Sequence, residues 1–133
     1  MKKLIFIFMG AAWLFGAIQW ESDFQTAYKK ALEEKKPLFV FMQRLSPPCR
    51  WCEKMKHTTL HDANISNTIN QRFIALKVTR ENRDYPASLY SQYVPAIFII
   101  DPATNKIITR IIGYWDVQDF QSDLDYIFRL LHR

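Results

Sequence analysis

Residues 38–52, LFVFMQRLSPPCRWC, join an apolar run to a pair of cysteines and decide the fold. Leu38–Met42 is continuous, partly aromatic and partly β-branched, which is typical of a strand buried on both faces. Pro47 and Pro48 close the loop that follows, and residues 49–57 then contain good helix formers without another breaker. The sequence therefore predicts a central strand, a loop, and a helix that the cysteines open.

Hydrophobic periodicity places further elements on both sides of this stretch. Residues 20–36 have helical spacing, and Ser22 with Gln25 forms a capping box at their start. The other expected elements, in chain order, are a helix capped by Asp62 with Ile65, Ile69 and Phe73 on one side, a strand over 74–79, a polar loop over 80–86, a short helix over 87–93, strands over 96–100 and 107–112 joined by a hairpin turn, and a helix capped by Asp116. This order predicts a mixed α/β sheet covered on both faces.

Composition indicates one folded domain. The chain has 133 residues, of which 49% are hydrophobic, enough for a single packed core. Setting aside residues 1–19, which hold two lysines and no acids, 16 basic residues remain against 13 acidic ones, a charge of +3. This mild charge and the scatter of the basic residues argue against nucleic acid as a partner. The scattered residues include Lys29, Lys30, Lys35, Lys36, Lys54, Lys56, Arg80 and Arg83.

The N-terminal residues are typical of an export signal. Lys2 and Lys3 precede Leu4–Ile18, a run of fifteen residues without a charge. We expect residues 1–19 to be a signal peptide or an uncleaved membrane anchor, and residues 20–133 to be the domain. The expected location is the periplasm or another exported, oxidising compartment. Contact with the membrane is expected only through the N-terminal segment.

The two cysteines of the chain, Cys49 and Cys52, carry the strongest chemical signal. At the first turn of a helix, unpaired backbone N–H groups and the positive dipole end favour a thiolate over a thiol. Two intervening residues place the second sulfur close enough to form a disulfide with the first. We expect Cys49 to attack a partner's disulfide and the more sheltered Cys52 to resolve the mixed disulfide. A purely structural disulfide is disfavoured, because closing so short a loop stabilises the folded protein little.

Metal binding is the main chemical alternative. Cys49, Cys52, His57 and His61 supply four candidate ligands, but the gap from cysteine to histidine is much shorter than the roughly 12 residues of a zinc finger. Covalent haem attachment needs a histidine directly after the second cysteine, where Glu53 stands. We therefore predict no cofactor and no metal ligands, and keep a soft-metal (copper or zinc) binding protein as an alternative function.

The chain resembles exported, single-domain proteins of the thioredoxin-like family. The resemblance covers residues 20–131 and rests on Lys36–Val40, on Cys49-Arg50-Trp51-Cys52 and on Val94-Pro95 before a strand. It implies a thioredoxin fold, a central mixed sheet of about four to five strands flanked by helices on both faces. It also implies that Pro95 is a cis-proline facing the disulfide and that Val94 offers its backbone to a substrate.

The chain departs from the family's usual pattern at several positions. Pro48 stands where a tryptophan is common, and no buried acid occurs before the cysteines, so the proton of Cys52 would pass to water or to Glu53. Arg50 adds positive charge beside Cys49, which predicts a reduction potential above that of cytosolic thioredoxin. Four aromatic residues are candidates for an apolar rim around the sulfurs, and only the first is expected to be exposed: Trp51, Tyr93, Tyr114 and Trp115.

The sequence thus predicts an exported thiol-disulfide oxidoreductase acting on protein substrates that carry thiols or disulfides. Its expected catalytic residues are Cys49 and Cys52. Reduction or isomerisation is favoured over oxidation and would need a membrane-bound redox partner as the electron source. The expected substrate-binding residues are Arg50, Trp51, Val94 and Pro95. A redox-silent module that binds extended peptides beside Pro95 is a second alternative.

Overall fold

Residues 17–132, which the computed structural model describes, contain four α-helices and four strands joined by short turns. The helices and strands are α1 (Phe24–Glu34), β1 (Leu38–Gln43), α2 (Arg50–His57), α3 (Ala63–Arg72), β2 (Ile74–Thr79), β3 (Ala96–Asp101), β4 (Lys106–Ile112) and α4 (Val117–Leu131). Three-residue 3-10 turns lie at Thr59–His61, Arg80–Asn82 and Ala87–Leu89.

The strands form one mixed sheet in the order β2-β1-β3-β4. β1 pairs in parallel with β2 because the two helices α2 and α3 carry the chain back across the sheet. β3 runs antiparallel to both β1 and β4, and a short turn joins β3 to β4 as a hairpin. The predicted mixed sheet of about four to five strands is confirmed, with four strands in the described residues.

β1 is the centre of the core, and all six of its residues are buried. Phe39 and Phe41 point to the face covered by α2, α3 and α4. The alternate residues Leu38, Val40 and Met42 point to the face covered by α1. The uninterrupted apolar run thus supplies both layers of the core.

Aspartates cap the starts of three of the four helices, α1, α3 and α4. Asp62 and Asp116 are the N-caps of α3 and α4, as predicted. The capping box of Ser22 and Gln25 is wrong, because α1 is capped one residue later by Asp23, whose carboxylate accepts a hydrogen bond from the Thr26 N–H at 2.8 Å. An ionised carboxylate binds a helix N-terminus more strongly than a hydroxyl, and the Ser22 hydroxyl instead donates to that carboxylate.

Three other expectations differ from the structure. Residues 87–93 do not form a short α-helix, since the 3-10 turn at Ala87–Leu89 ends when Tyr90 adopts an extended conformation that carries the chain toward β3. Phe73 lies just beyond α3 in extended conformation, although it is still buried. Trp20 precedes α1 and bridges Ala75 of β2 instead of joining the helix.

Residues 1–16 of the predicted signal or anchor lie outside the described residues. The described remainder of that segment contacts the domain: the Ile18 side chain is buried in the core beneath α3 and α4, and the Gln19 N–H donates to the Asn70 side chain at 2.8 Å. Among residues 17–132, none of the helices has both the length and the apolar character that crossing a bilayer requires.

The packing of Phe39 predicts a large stability loss on truncation. Its ring is fully buried between those of Phe73 and Phe120, at centroid distances of 5.6 and 6.3 Å. Phe39→Ala should lower the free energy of unfolding by about 3–5 kcal/mol, because it leaves a cavity that the rigid strand cannot close. Urea unfolding followed by circular dichroism measures this loss.

The matched control is Leu32→Ala on α1, whose side chain is 46% exposed in spite of its helical spacing. This variant should change the free energy of unfolding by no more than about 0.5 kcal/mol. Equal losses for the two variants would contradict the assignment of Phe39 to the core.

Candidate active site

Four strand ends meet at one edge of the sheet. The register pairs Met42 of β1 with Ala96 of β3, Ala96 with Ile112 of β4, and Gln43 of β1 with Thr79 of β2. The segments that follow β1, β2 and β4 therefore lie beside the segment that precedes β3. The residues these segments bring to this edge are Cys49, Glu81, Val94, Pro95 and Tyr114.

A disulfide joins Cys49 and Cys52 at the start of α2, with their Cα atoms 5.2 Å apart. Cys49 is the N-cap of the helix, and its Sγ accepts a hydrogen bond from the Cys52 N–H at 3.1 Å. Cys49 is 5% exposed and Cys52 is fully buried. The sulfur of Cys49 is therefore the one that a second molecule reaches first, and it lies where backbone N–H groups favour negative charge.

The segment facing the disulfide is Val94-Pro95. The peptide bond between these residues is cis, and the Val94 carbonyl oxygen lies 3.9 Å from the Cys49 Sγ. Pro95 is buried, and its carbonyl accepts a hydrogen bond from the Gly113 N–H at 2.8 Å. Gly113 has a φ of 91°, which a residue with a side chain rarely adopts. β4 thus fixes this segment from behind while Val94 remains partly exposed at the disulfide.

Aromatic and cationic side chains surround the exposed side of the disulfide. Trp51 is 48% exposed, and its ring lies 5.5 Å from that of Tyr114. Tyr93 and Trp115 are also exposed, so the expectation that Trp51 alone of the four aromatic residues would be exposed is wrong. Arg50 is exposed and lies 5.6 Å above the Trp51 ring. Sequence periodicity could not place these residues, since they lie at the ends of separate elements.

Two residues without a predicted role hold the loop before Cys49. A carboxylate oxygen of Glu81 accepts hydrogen bonds from the Leu45 N–H at 2.9 Å and the Ser46 N–H at 2.7 Å. The Arg44 guanidinium donates to the carbonyls of the two prolines that follow, at 2.8 and 3.1 Å. Glu81 is 36 residues from Leu45 in sequence, so no local pattern could have revealed this contact.

Polar side chains of α2, β1 and β2 form a chain of contacts that includes Glu53, the residue after Cys52. Lys56 donates a 2.6 Å hydrogen bond to Gln43, whose amide donates to the Thr79 hydroxyl. The same ammonium lies 2.9 Å from Glu53, and this hydrogen bond holds the pKa of the Glu53 carboxyl below its ordinary value of 4.5. The lowered pKa makes Glu53 a weaker base than an ordinary glutamate carboxylate.

The candidate metal ligands are not brought together. His57 lies 3.5 Å from Glu53, and His61 lies in the 3-10 turn after α2. Within the part of the chain that the structure describes, no group of three or more histidine, cysteine, aspartate and glutamate side chains is arranged to hold a metal ion.

The contacts of Glu81 predict a pH-dependent effect on stability. Partial desolvation raises the pKa of Glu81, but hydrogen bonds from its own backbone N–H and from those of Leu45 and Ser46 outweigh this and hold the pKa below 4.5. The stabilisation by the charged form is therefore complete above pH 4.5 and is lost as the pH falls through the lowered pKa. Glu81→Gln should lower the melting temperature at pH 7, and the difference from the original chain should shrink in acid.

Glu33→Gln, at an exposed position of α1, is the matched control, and it should leave the melting temperature nearly unchanged at pH 7. Scanning calorimetry from pH 7 down to pH 3 measures both variants. A Glu81→Gln difference that stays constant over this range would contradict the role of the carboxylate charge.

Comparison with known structures shows the fold. The chain is similar to a DsbH oxidoreductase, with a TM-score of 0.69 and 18% identity over 87% of this chain and 85% of that one. It is also similar to a thioredoxin from Thermus thermophilus, with a TM-score of 0.65 and 16% identity over 84% and 87% of the two chains. At these identities the likeness is one of fold.

Sequence comparison shows the family. An uncharacterized Caenorhabditis elegans protein is 32% identical over 79 residues, and Spermatogenesis-associated protein 20 of Rattus norvegicus is 29% identical over 79 residues; each match covers 59% of this chain. The chain spans about a tenth of the length of these curated relatives, 11% and 10% respectively. A sequence model described as thioredoxin-like matches residues 19–102, more than half of the chain. With the fold and the Cys49–Cys52 pair, this match establishes that the chain belongs to the thioredoxin-like family.

Proposed function

We propose that this chain is an exported thiol-disulfide oxidoreductase that exchanges disulfides with protein substrates through Cys49 and Cys52. The observation that carries the proposal is the position of the disulfide. It lies at the N-terminus of α2, with the Cys49 Sγ as helix cap and 3.9 Å from the carbonyl oxygen of Val94, a partly exposed residue. A reactive sulfur and an open backbone group for a substrate therefore stand side by side.

The exchange proceeds in two substitutions at sulfur. In the reduced protein the Cys49 thiolate attacks one sulfur of a substrate disulfide, forming a mixed disulfide and releasing a substrate thiolate that takes a proton from water. Cys52 then loses its proton to water and attacks the Cys49 sulfur, which releases the second substrate thiolate. Two electrons pass to the substrate, and the Cys49–Cys52 disulfide is restored.

An extended substrate segment fits beside Val94. The residue precedes β3, so its free backbone groups can extend the hydrogen-bonding pattern to a second chain, as in other cases of strand addition. The exposed rings of Trp51, Tyr93 and Trp115 offer apolar contact for partly unfolded substrates. This assigns Val94 and Pro95, with Arg50 and Trp51, to substrate binding.

The charges at the helix start favour the reduced protein. The Cys52 N–H and the α2 dipole stabilise a thiolate at Cys49, and the exposed Arg50 adds positive charge. Whatever stabilises the thiolate makes the disulfide easier to reduce. In an oxidising compartment such a protein reduces or isomerises wrong disulfides when a membrane-bound dithiol partner supplies electrons. Export to the periplasm or a similar compartment is proposed from residues 1–19 alone.

Trapping of mixed disulfides tests the reaction. Cys52→Ala in the native host should accumulate covalent adducts between Cys49 and substrate proteins, because the resolving sulfur is missing. Non-reducing electrophoresis and mass spectrometry detect the adducts, which should disappear on reduction.

The control is the chain in which both cysteines are replaced by alanine, and it should form none. Absence of adducts above this control would contradict the proposed exchange. Loss of a bound copper or zinc ion from Cys52→Ala without adducts would favour metal handling. Noncovalent capture of the same proteins by the control would favour a peptide-binding module.

The reduction potential tests the electrostatic part of the proposal. Equilibration with glutathione should give a potential above the −270 mV or so of thioredoxin. Arg50→Gln should lower it by roughly 10–20 mV, because one nearby charge in water changes the thiolate energy by a fraction of a kcal/mol. Lys29→Gln, on the opposite face of the sheet, should leave the potential unchanged. A potential at or below thioredoxin's would contradict the role assigned to the helix start.

A further inference from the structure

The surface beside Cys49 carries two cations that no acid neutralises. Arg50 and Lys54 are exposed on α2, and over residues 17–132 neither forms an ion pair. The neighbouring basic residues differ: Lys56 and His57 both contact Glu53. Positive charge is thus concentrated on the side of the helix that faces the exposed aromatic residues.

Trp51 and Tyr114 fix the position of these cations. The Arg50 guanidinium carbon lies 5.6 Å from the Trp51 ring centre, and the Lys54 Nζ lies 5.4 Å from that ring and 5.0 Å from the Tyr114 ring. Contact with an aromatic face orients a cation but leaves its charge in place. We call Arg50, Trp51, Lys54 and Tyr114 the cationic platform.

Three acids at this edge of the sheet contact groups other than Arg50 and Lys54. Glu53 binds Lys56, and Glu81 accepts the two backbone N–H groups of the loop before Cys49. Asp116 is the N-cap of α4 and accepts the Asp119 N–H at 2.9 Å. The platform therefore presents two positive charges, held against two aromatic rings, to an incoming molecule.

We propose that the cationic platform selects polypeptide segments that carry a carboxylate close to the disulfide attacked by Cys49. The inference rests on the proposed function and adds a substrate class to the same site. A substrate sulfur at Cys49 places the flanking residues within reach of Arg50 and Lys54, while its backbone lies along Val94. In water, a carboxylate about 6 Å from one cation should raise the rate constant for forming the mixed disulfide roughly threefold. A lysine at the same place should lower it by a similar factor.

The platform acts on the encounter and leaves the exchange itself unchanged. Complementary charge raises the rate at which two molecules meet and lengthens their contact, and salt weakens both effects. The electrons and protons move as in the two substitutions at sulfur described above. The selectivity should therefore appear in the second-order rate constant for forming the mixed disulfide.

Three peptide substrates test the inference. Each contains one disulfide, and they differ only in the two residues next to one half-cystine, which are both glutamate, both glutamine or both lysine. The full chain is reduced beforehand, and its rate constant with each peptide is divided by that of dithiothreitol, which corrects for the intrinsic reactivity of the disulfide. At low salt the glutamate peptide should react about tenfold faster than the glutamine peptide, and the lysine peptide about tenfold more slowly than the glutamine peptide. The glutamate-to-glutamine ratio should shrink at 1 M salt, where the Debye length is only about 3 Å.

Matched variants test whether the ratio of the peptide rate constants arises from the platform. Lys54→Gln and Arg50→Gln should each lower the ratio about threefold, and the double variant should bring it close to one. Lys29→Gln, which removes one exposed charge from α1 on the other face of the sheet, should keep the ratio of the original chain.

The outcomes separate the two proposals. A chain that reduces all three peptides at equal corrected rates, or a ratio that survives in the double variant, overturns the substrate preference and leaves the oxidoreductase function intact. If the chain reduces none of the peptides faster than the Cys49→Ala variant does, the proposed function itself is overturned.

Discussion

Burial of β1 on both faces holds the sheet and the two helical layers in register. Its six residues supply one core layer beneath α1 and another beneath α2, α3 and α4. A strand packed in this way has no freedom to slip, because a shift of one residue would exchange the two layers. The loop after β1 therefore starts from a fixed point, and this helps to fix the position of the cysteines that follow.

The direction of the strands explains why the site forms at one edge. β1 and β3 run antiparallel, so the end of β1 that leads to Cys49 lies beside the start of β3, where Val94 and Pro95 stand. β2 runs parallel to β1 and brings Glu81 to the same edge. The disulfide, its facing backbone segment and the carboxylate that holds its loop thus come from three distant parts of the chain. None of them would be near another without the sheet.

The chemistry of the site combines local and long-range effects. The helix start alone gives the Cys49 sulfur a backbone N–H partner from Cys52. The groups around that sulfur come from elsewhere: Val94 from the segment before β3, and Tyr114 from the segment after β4. The backbone environment of the Cys49 sulfur thus comes from one turn of helix, whereas the surface around it comes from several elements.

The main helices and strands, the mixed sheet and the cysteine pair could be predicted from the amino-acid sequence, since the apolar run of β1, the aspartate caps of α3 and α4 and the cysteine spacing are all local signals. Capping of α1 by Asp23 instead of Ser22 marks the limit of that local information, because neighbouring polar residues compete for the same N–H groups. The contacts of Glu81, the exposure of Tyr93 and the pairing of Lys54 with Tyr114 arise only when the chain folds. Such contacts depend on which strand ends lie side by side, and hydrophobic periodicity does not predict the order of the strands.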